Sequence, residues 1–171
     1  MSARFAIFGM MFISLTLTLV PAATGFPPAF IWNASGSVPI GLYRVQPEVR
    51  LGVTDLVAVM PPEPVASFLA DRNYLPRGVP LLKRVLALPG QRVCRVRLAV
   101  LVDGIVMAVA RERDRFGRPL PDWQGCRVIA KGEVFLMNWQ SGDSLDGRYF
   151  GPLPAASIIG RAVPLWTFEE P

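Results

Sequence analysis

Residues 5–43 carry no charged side chain, and the first part of that run, FAIFGMMFISLTLTLV, is apolar until PAATG closes it. A bilayer core needs about 20 apolar residues in a helix, so the run predicts about one membrane-spanning helix. Arg4 precedes it and no acid does, which sets the N-terminus in the cytoplasm and everything after residue 25 outside. Ala22 and Ala23 keep a cleavable signal peptide open as the alternative to a retained anchor. Under either reading residues 1–25 export residues 26–171, which have room for one domain with a buried core and none for a second.

Absences narrow the chemistry. The chain has no histidine, which excludes a His-based catalytic triad, a His-ligated metal and an imidazole pH switch. Two cysteines, Cys94 and Cys126, cannot build a four-ligand zinc site, and no metal or cofactor is expected. Export permits a disulfide between them; two buried free thiols are the other reading. The net charge is +5, but RERDRFGR (111–118) interleaves arginine with Glu112 and Asp114. That pattern predicts a solvated loop, not a nucleic-acid surface, which needs unmixed positive charge.

After residue 25 the pattern is that of short strands. DLVAVM (55–60) alternates and stops at Pro61-Pro62, and VPLLKRVLALPG (79–90) is a longer apolar run closed by a Pro-Gly turn. LAVLVDGIVMAVA (98–110) is two β-prone runs joined by Asp103-Gly104, which predicts a tight hairpin. Further strands are expected in EVFLMNW (133–139) and SIIGRAVPLWTF (157–168). One short helix is expected over 62–75, where Val65, Phe68 and Leu69 share a face. The fold class is mainly β, with no repeat and no Gly-rich phosphate loop.

The chain has sixteen arginines and two lysines, Lys83 and Lys131. Lys131 lies in a turn. Lys83 is flanked by Leu81, Leu82, Val85 and Leu86, where an amine that can lose its proton differs sharply from a permanently charged guanidinium. Desolvation disfavours the ammonium and lowers its pKa from about 10.4, which turns the amine into a candidate general base. An edge-strand lysine with its stem on the core and its head in water fits the same pattern. In NASGSVPIGLYRV (33–45), Ser37 is a hydroxyl that a neutral lysine could activate, and the small neighbours leave N–H groups free for an oxyanion. A plain polar turn from anchor to domain is the alternative.

Three stretches together resemble the signal peptidase I superfamily of Ser-Lys membrane peptidases. SGSVP (35–39) is similar to the family's nucleophile box, one residue shorter before the proline. LLKRVLALPGQRV (81–93) is similar to its Lys-Arg-Val and Leu-Pro-Gly-Asp segment, with Gln91 in place of the acid. SGDSLDGRYFGPLP (141–154) is similar to its Gly-Asp-Ser-x-Asp-Ser-Arg-Tyr-Phe-Gly box, with Gly147 in place of the second serine. The resemblance implies Ser37 as nucleophile, Lys83 as general base, Ser35 as an orienting or oxyanion group and Ser144 as a partner of the amine. It implies Asp146 and Arg148 as a structural pair near the site, for which an ordinary surface salt bridge is the alternative. It also implies a signal-peptidase-like complex β fold.

The breadth of the match points within the superfamily to the conjugative-transfer peptidases of the TraF type. That implies an inner-membrane protein with its catalytic domain on the periplasmic side. Its expected partners are an exported pilin precursor and conjugative type IV secretion components. Some members are thought to join the new ends into a ring, and the same dyad would serve if the pilin's own amine replaced water as acceptor. A general leader peptidase and a catalytically silent scaffold of pilus assembly are the competing readings.

Overall fold

The structure, a computed structural model, describes residues 2–24, 28–47 and 50–168. The apolar run forms helix α1 (Ser2–Thr24), whose side chains from Phe5 to Thr16 are exposed. Among the described residues no helix is long and apolar enough to cross a membrane. The boundary expected at residues 25 and 26 lies outside the described residues.

The strands, in chain order, begin with β1 (Phe30–Asn33), β2 (Gly41–Gln46), β3 (Leu56–Val59) and β4 (Leu81–Ala87). They continue with β5 (Arg92–Val96), β6 (Ala99–Val102), β7 (Ile105–Val109) and β8 (Gly125–Val128), then β9 (Glu133–Leu136), β10 (Leu153–Pro154) and β11 (Ile158–Thr167). Helix α2 (Val65–Asp71) lies between β3 and β4, inside the segment expected to be helical but shorter. Its Val65 and Leu69 are buried, with Phe68 packed beside them. A second, one-turn helix, α3 (Gly147–Phe150), was not expected. A seven-stranded sheet runs β1-β2-β11-β3-β4-β9-β10, and a four-stranded sheet runs β7-β6-β5-β8.

The alternation expected of 55–60 does not divide core from solvent. All four residues of β3 are buried, because Val57 and Val59 enter one apolar cluster while Leu56 and Ala58 enter another. The period of two separates two cores instead. The second of these clusters links two distant parts of the chain, since it holds both Val38, beside Ser37, and Leu82, beside Lys83. Three strands, β2, β11 and β3, stand between β1 and β4 in the sheet order, so only a curled sheet brings the two neighbourhoods together.

The hairpin expected at Asp103-Gly104 joins β6 to β7, with φ of 49° and 84° at its two central residues, the mirror-type turn that suits the strand twist. It also accounts for Gln91. The Gln91 amide donates to Asp103 Oδ2 (2.9 Å) and accepts from Leu88 N (2.9 Å). A carboxylate there could not donate and would face a like charge.

Cys94 and Cys126 are disulfide-bonded across directly paired positions of β5 and β8. Cys94 is buried and Cys126 exposed, so the reading of two buried thiols does not hold. All four residues of β8 are exposed, leaving the strand little apolar contact of its own. Replacing both cysteines by serine is expected to lower the unfolding free energy by about 2–4 kcal/mol. Amide exchange across 125–128 should accelerate, and hydrogen-exchange mass spectrometry with denaturant melts checks both.

Candidate active site

The loop from residue 34 to 40 joins β1 to β2 and is tied down by two residues that motif reading missed. Buried Asn33 donates through Nδ2 to the carbonyls of Ser35 (2.8 Å), Val38 (3.0 Å) and Pro39 (3.0 Å). Its Oδ1 accepts from Ser35 N (3.2 Å) and Ser35 Oγ (2.9 Å). The buried Tyr43 hydroxyl donates to Pro39 O (2.6 Å) from the next strand. One side chain thus engages three of the loop's carbonyls. Ser37 Oγ lies 3.4 Å from Ser35 Oγ, half-buried, with the Gly36 and Ser37 N–H groups free of acceptors among the described residues.

Lys83 stands mid-strand on β4, opposite Val57 of β3. It is only 5% exposed, which decides against an edge lysine reaching into water. Its Nζ donates to the buried Ser144 Oγ at 2.8 Å. Burial pushes the amine down from its ordinary value to about 8, against Asp146, which favours the charged form, and with help from Arg148, which disfavours it. Stability changes with pH accordingly. Above about pH 8 the unfolded chain still binds a proton that the folded chain has released, so the fold gains stability as pH rises toward lysine's ordinary range.

Asn138 sets the strand on which that amine sits. Its Oδ1 accepts from Arg84 N (2.9 Å) and its Nδ2 donates to Leu82 O (3.1 Å), gripping the backbone on both sides of Lys83. Asn138 N in turn donates to Asp146 Oδ2 (3.1 Å). In sequence Asn138 is a polar residue at a strand end, with nothing to mark it as a splint.

Asp146 and Arg148 correct the surface-pair reading, because their side chains are 0% and 1% exposed. Arg148 meets the carboxylate in a fork, Nε to Oδ1 at 2.9 Å and Nη2 to Oδ2 at 2.8 Å. The same Nη2 reaches the carbonyls of Asn138 (3.2 Å) and Ser141 (2.6 Å), while Asp146 caps α3 by accepting from Arg148 N. Buried Arg95 of β5 donates to Arg148 O (2.9 Å), and Trp123 to Gly147 O (3.0 Å), so the small sheet buttresses this turn. The loop that carries Ser144 is therefore fixed on both sides.

These pieces line one cleft of about 490 Å³, shared by Ser35, Gly36, Ser37, Lys83 and Ser144. Lys83 Nζ and Ser37 Oγ face it without a hydrogen bond between them; such contacts often tighten only when substrate binds. Cys94 and Cys126 lie in the small sheet and do not line the cleft. Among the described residues no group of His, Cys, Asp and Glu could hold a metal ion.

A family model described as "Signal peptidase, peptidase S26" matches residues 4–166. The chain belongs to that family. It is 37% identical over 150 residues to a conjugal transfer protein TraF of Agrobacterium fabrum, covering 80% of this chain and 82% of that one. It is 40% identical over 146 residues to a probable conjugal transfer protein TraF of Sinorhizobium fredii, covering 80% and 76%. A solved signal peptidase I from Enterococcus faecalis aligns with 66% of this chain and 97% of its own, at 17% identity and a TM-score of 0.40.

The family's usual second serine has no room at residue 147. A Cβ on Gly147 would lie 2.7 Å from Leu136 O and 2.7 Å from the Phe135 ring, and the carbonyl cannot yield. Gly147→Ser is expected to cost about 1–3 kcal/mol in a denaturant melt. Asn138→Ala should also destabilise, by about 1–3 kcal/mol for the orphaned backbone groups.

Proposed function

We propose that the chain is a membrane-anchored serine endopeptidase in which Ser37 is the nucleophile and Lys83 the general base. The observation that carries the reading is a buried, hydrogen-bonded amine, its pKa lowered to about 8, facing the cleft that also holds an activatable hydroxyl. A neutral amine that donates one N–H to Ser144 keeps its lone pair for the Ser37 proton. Ser37 Oγ attacks the scissile carbonyl as that proton passes to Lys83, and the free Gly36 and Ser37 N–H groups serve as donors to the oxyanion. The lysine then protonates the leaving amine, and an ester on Ser37 remains. Water attacking that ester gives hydrolysis; an amine of the same substrate gives a ring.

The substrate proposed is an exported pilin precursor, processed on the periplasmic side of the inner membrane for conjugative transfer. The names of the Agrobacterium and Sinorhizobium relatives support the conjugative setting, and the uncharged, largely apolar run that begins at residue 5 supports the anchor. A general leader peptidase would share the chemistry. A silent scaffold would have no need of a buried amine at this cost in desolvation.

Ser37→Ala and Lys83→Arg should each reduce peptide cleavage by about 10⁴-fold or more, because a guanidinium keeps the charge but offers no base. Restored activity in Lys83→Arg would remove the lysine from the mechanism. In the unsubstituted chain kcat/KM should fall about tenfold per unit as pH drops below about 8, and level off above it. Mass spectrometry of the mature pilin, looking for loss of one further water, distinguishes ring from linear product.

A further inference from the structure

The loop expected to be a solvated charge mixture is built into the cleft. Arg111, Arg113, Asp114, Arg115 and Asp143 all line it, together with the apolar Leu75 and Leu81. The two carboxylates are already engaged. Asp143 pairs with Arg111. Asp114 accepts from Arg118 Nε at 2.7 Å and from the Tyr74 hydroxyl, and its other oxygen accepts from Phe116 N (2.8 Å) and Arg118 N (2.9 Å). Arg113 and Arg115 have no carboxylate partner among the described residues.

Nor are these two arginines on a loose tip. Leu120 N donates to Glu112 O (2.9 Å) and Asp114 N to Arg118 O (2.9 Å), so the loop is closed on itself. Arg72, just past α2, donates to Pro119 O (2.6 Å), and Arg118 returns a bond to Arg72 O (3.3 Å). Arg113 Nη1 donates to Gly117 O (2.7 Å), which leaves most of its five N–H groups unused. The Arg115 guanidinium lies 4.8 Å from the centre of the Phe116 ring. Two guanidiniums carried on a closed loop, without a carboxylate partner and lining a cleft with apolar walls, suit an anion on an extended peptide.

We propose that Arg113 and Arg115 form a carboxylate subsite of this cleft, filled by an acidic side chain or the terminal carboxylate of the bound peptide. The proposal rests on the reading of the cleft as a peptide-cleaving site, and binding separates the two. The full chain carrying Ser37→Ala is titrated with fluorescein-labelled Ala/Gly decapeptides in which one glutamate is walked through the sequence. Each has a glutamine counterpart and is made with a free or an amidated C-terminus.

At one or two positions the glutamate peptide should bind at least about fivefold tighter than its glutamine counterpart. The preference should shrink in 0.5 M salt (about three times less screening length than at 50 mM) and vanish in Arg113→Gln/Arg115→Gln. Arg44→Gln/Arg92→Gln, the same loss of two positive charges at exposed sites outside the cleft, should leave it intact. A preference for the free over the amidated terminus, with none for glutamate, would assign the subsite to the terminal carboxylate. Equal binding of all four peptide types, or a preference that survives the double substitution, would overturn the proposal. Selective binding alongside an inert Ser37 in the unsubstituted chain would instead keep the subsite and refute the dyad.

Discussion

The structure turns on one unfavourable burial, an amine placed mid-strand between two apolar clusters. A charged lysine there loses most of its hydration, and only Asp146 pulls back toward the ammonium while Arg148 cancels part of that pull. The balance leaves a group that is still near its titration point in the neutral range, which an arginine could never be. Much of the surrounding architecture serves to keep that arrangement from relaxing. Asn138 grips the backbone on either side of Lys83, Ser144 holds its Nζ, and the buried Asp146–Arg148 fork fixes the turn that carries Ser144.

The two sheets divide the labour. The curled seven-stranded sheet brings the serine loop and β4 to one cleft, through a core that includes both Val38 and Leu82. The four-stranded sheet contributes no residue of the proposed dyad, but Arg95 of β5 and Trp123, in the loop leading into β8, reach the carbonyls of α3. Its disulfide holds an exposed strand that has little apolar surface to hold itself.

Much of this was legible in the sequence, and the exceptions have physical causes. Lys83 stood out because the chain otherwise writes its charge in arginine, and the Asp103-Gly104 hairpin because few residues tolerate both positive φ values. The burial of β3 on both faces was hidden, since a period of two looks the same whether its second face meets solvent or a second core. Asn33 and Asn138 were invisible because asparagine in a loop or at a strand end reads as ordinary turn chemistry; their roles exist only through partners distant in the fold. The loop at 111–118 misled for a related reason. Interleaved charges cancel on paper, while in space Asp114 is spent on Arg118 and Tyr74 and its neighbours are left uncompensated.

The central claim concerns a single proton. Because the chain has two lysines, ¹³Cε-lysine labelling gives two signals, and Lys131, exposed in a turn, serves as an internal reference. Following both by NMR against pH measures the Lys83 midpoint directly. A buried general base requires a midpoint of about 8 for Lys83. A Lys83 midpoint in the ordinary lysine range of ~10.4 would contradict it.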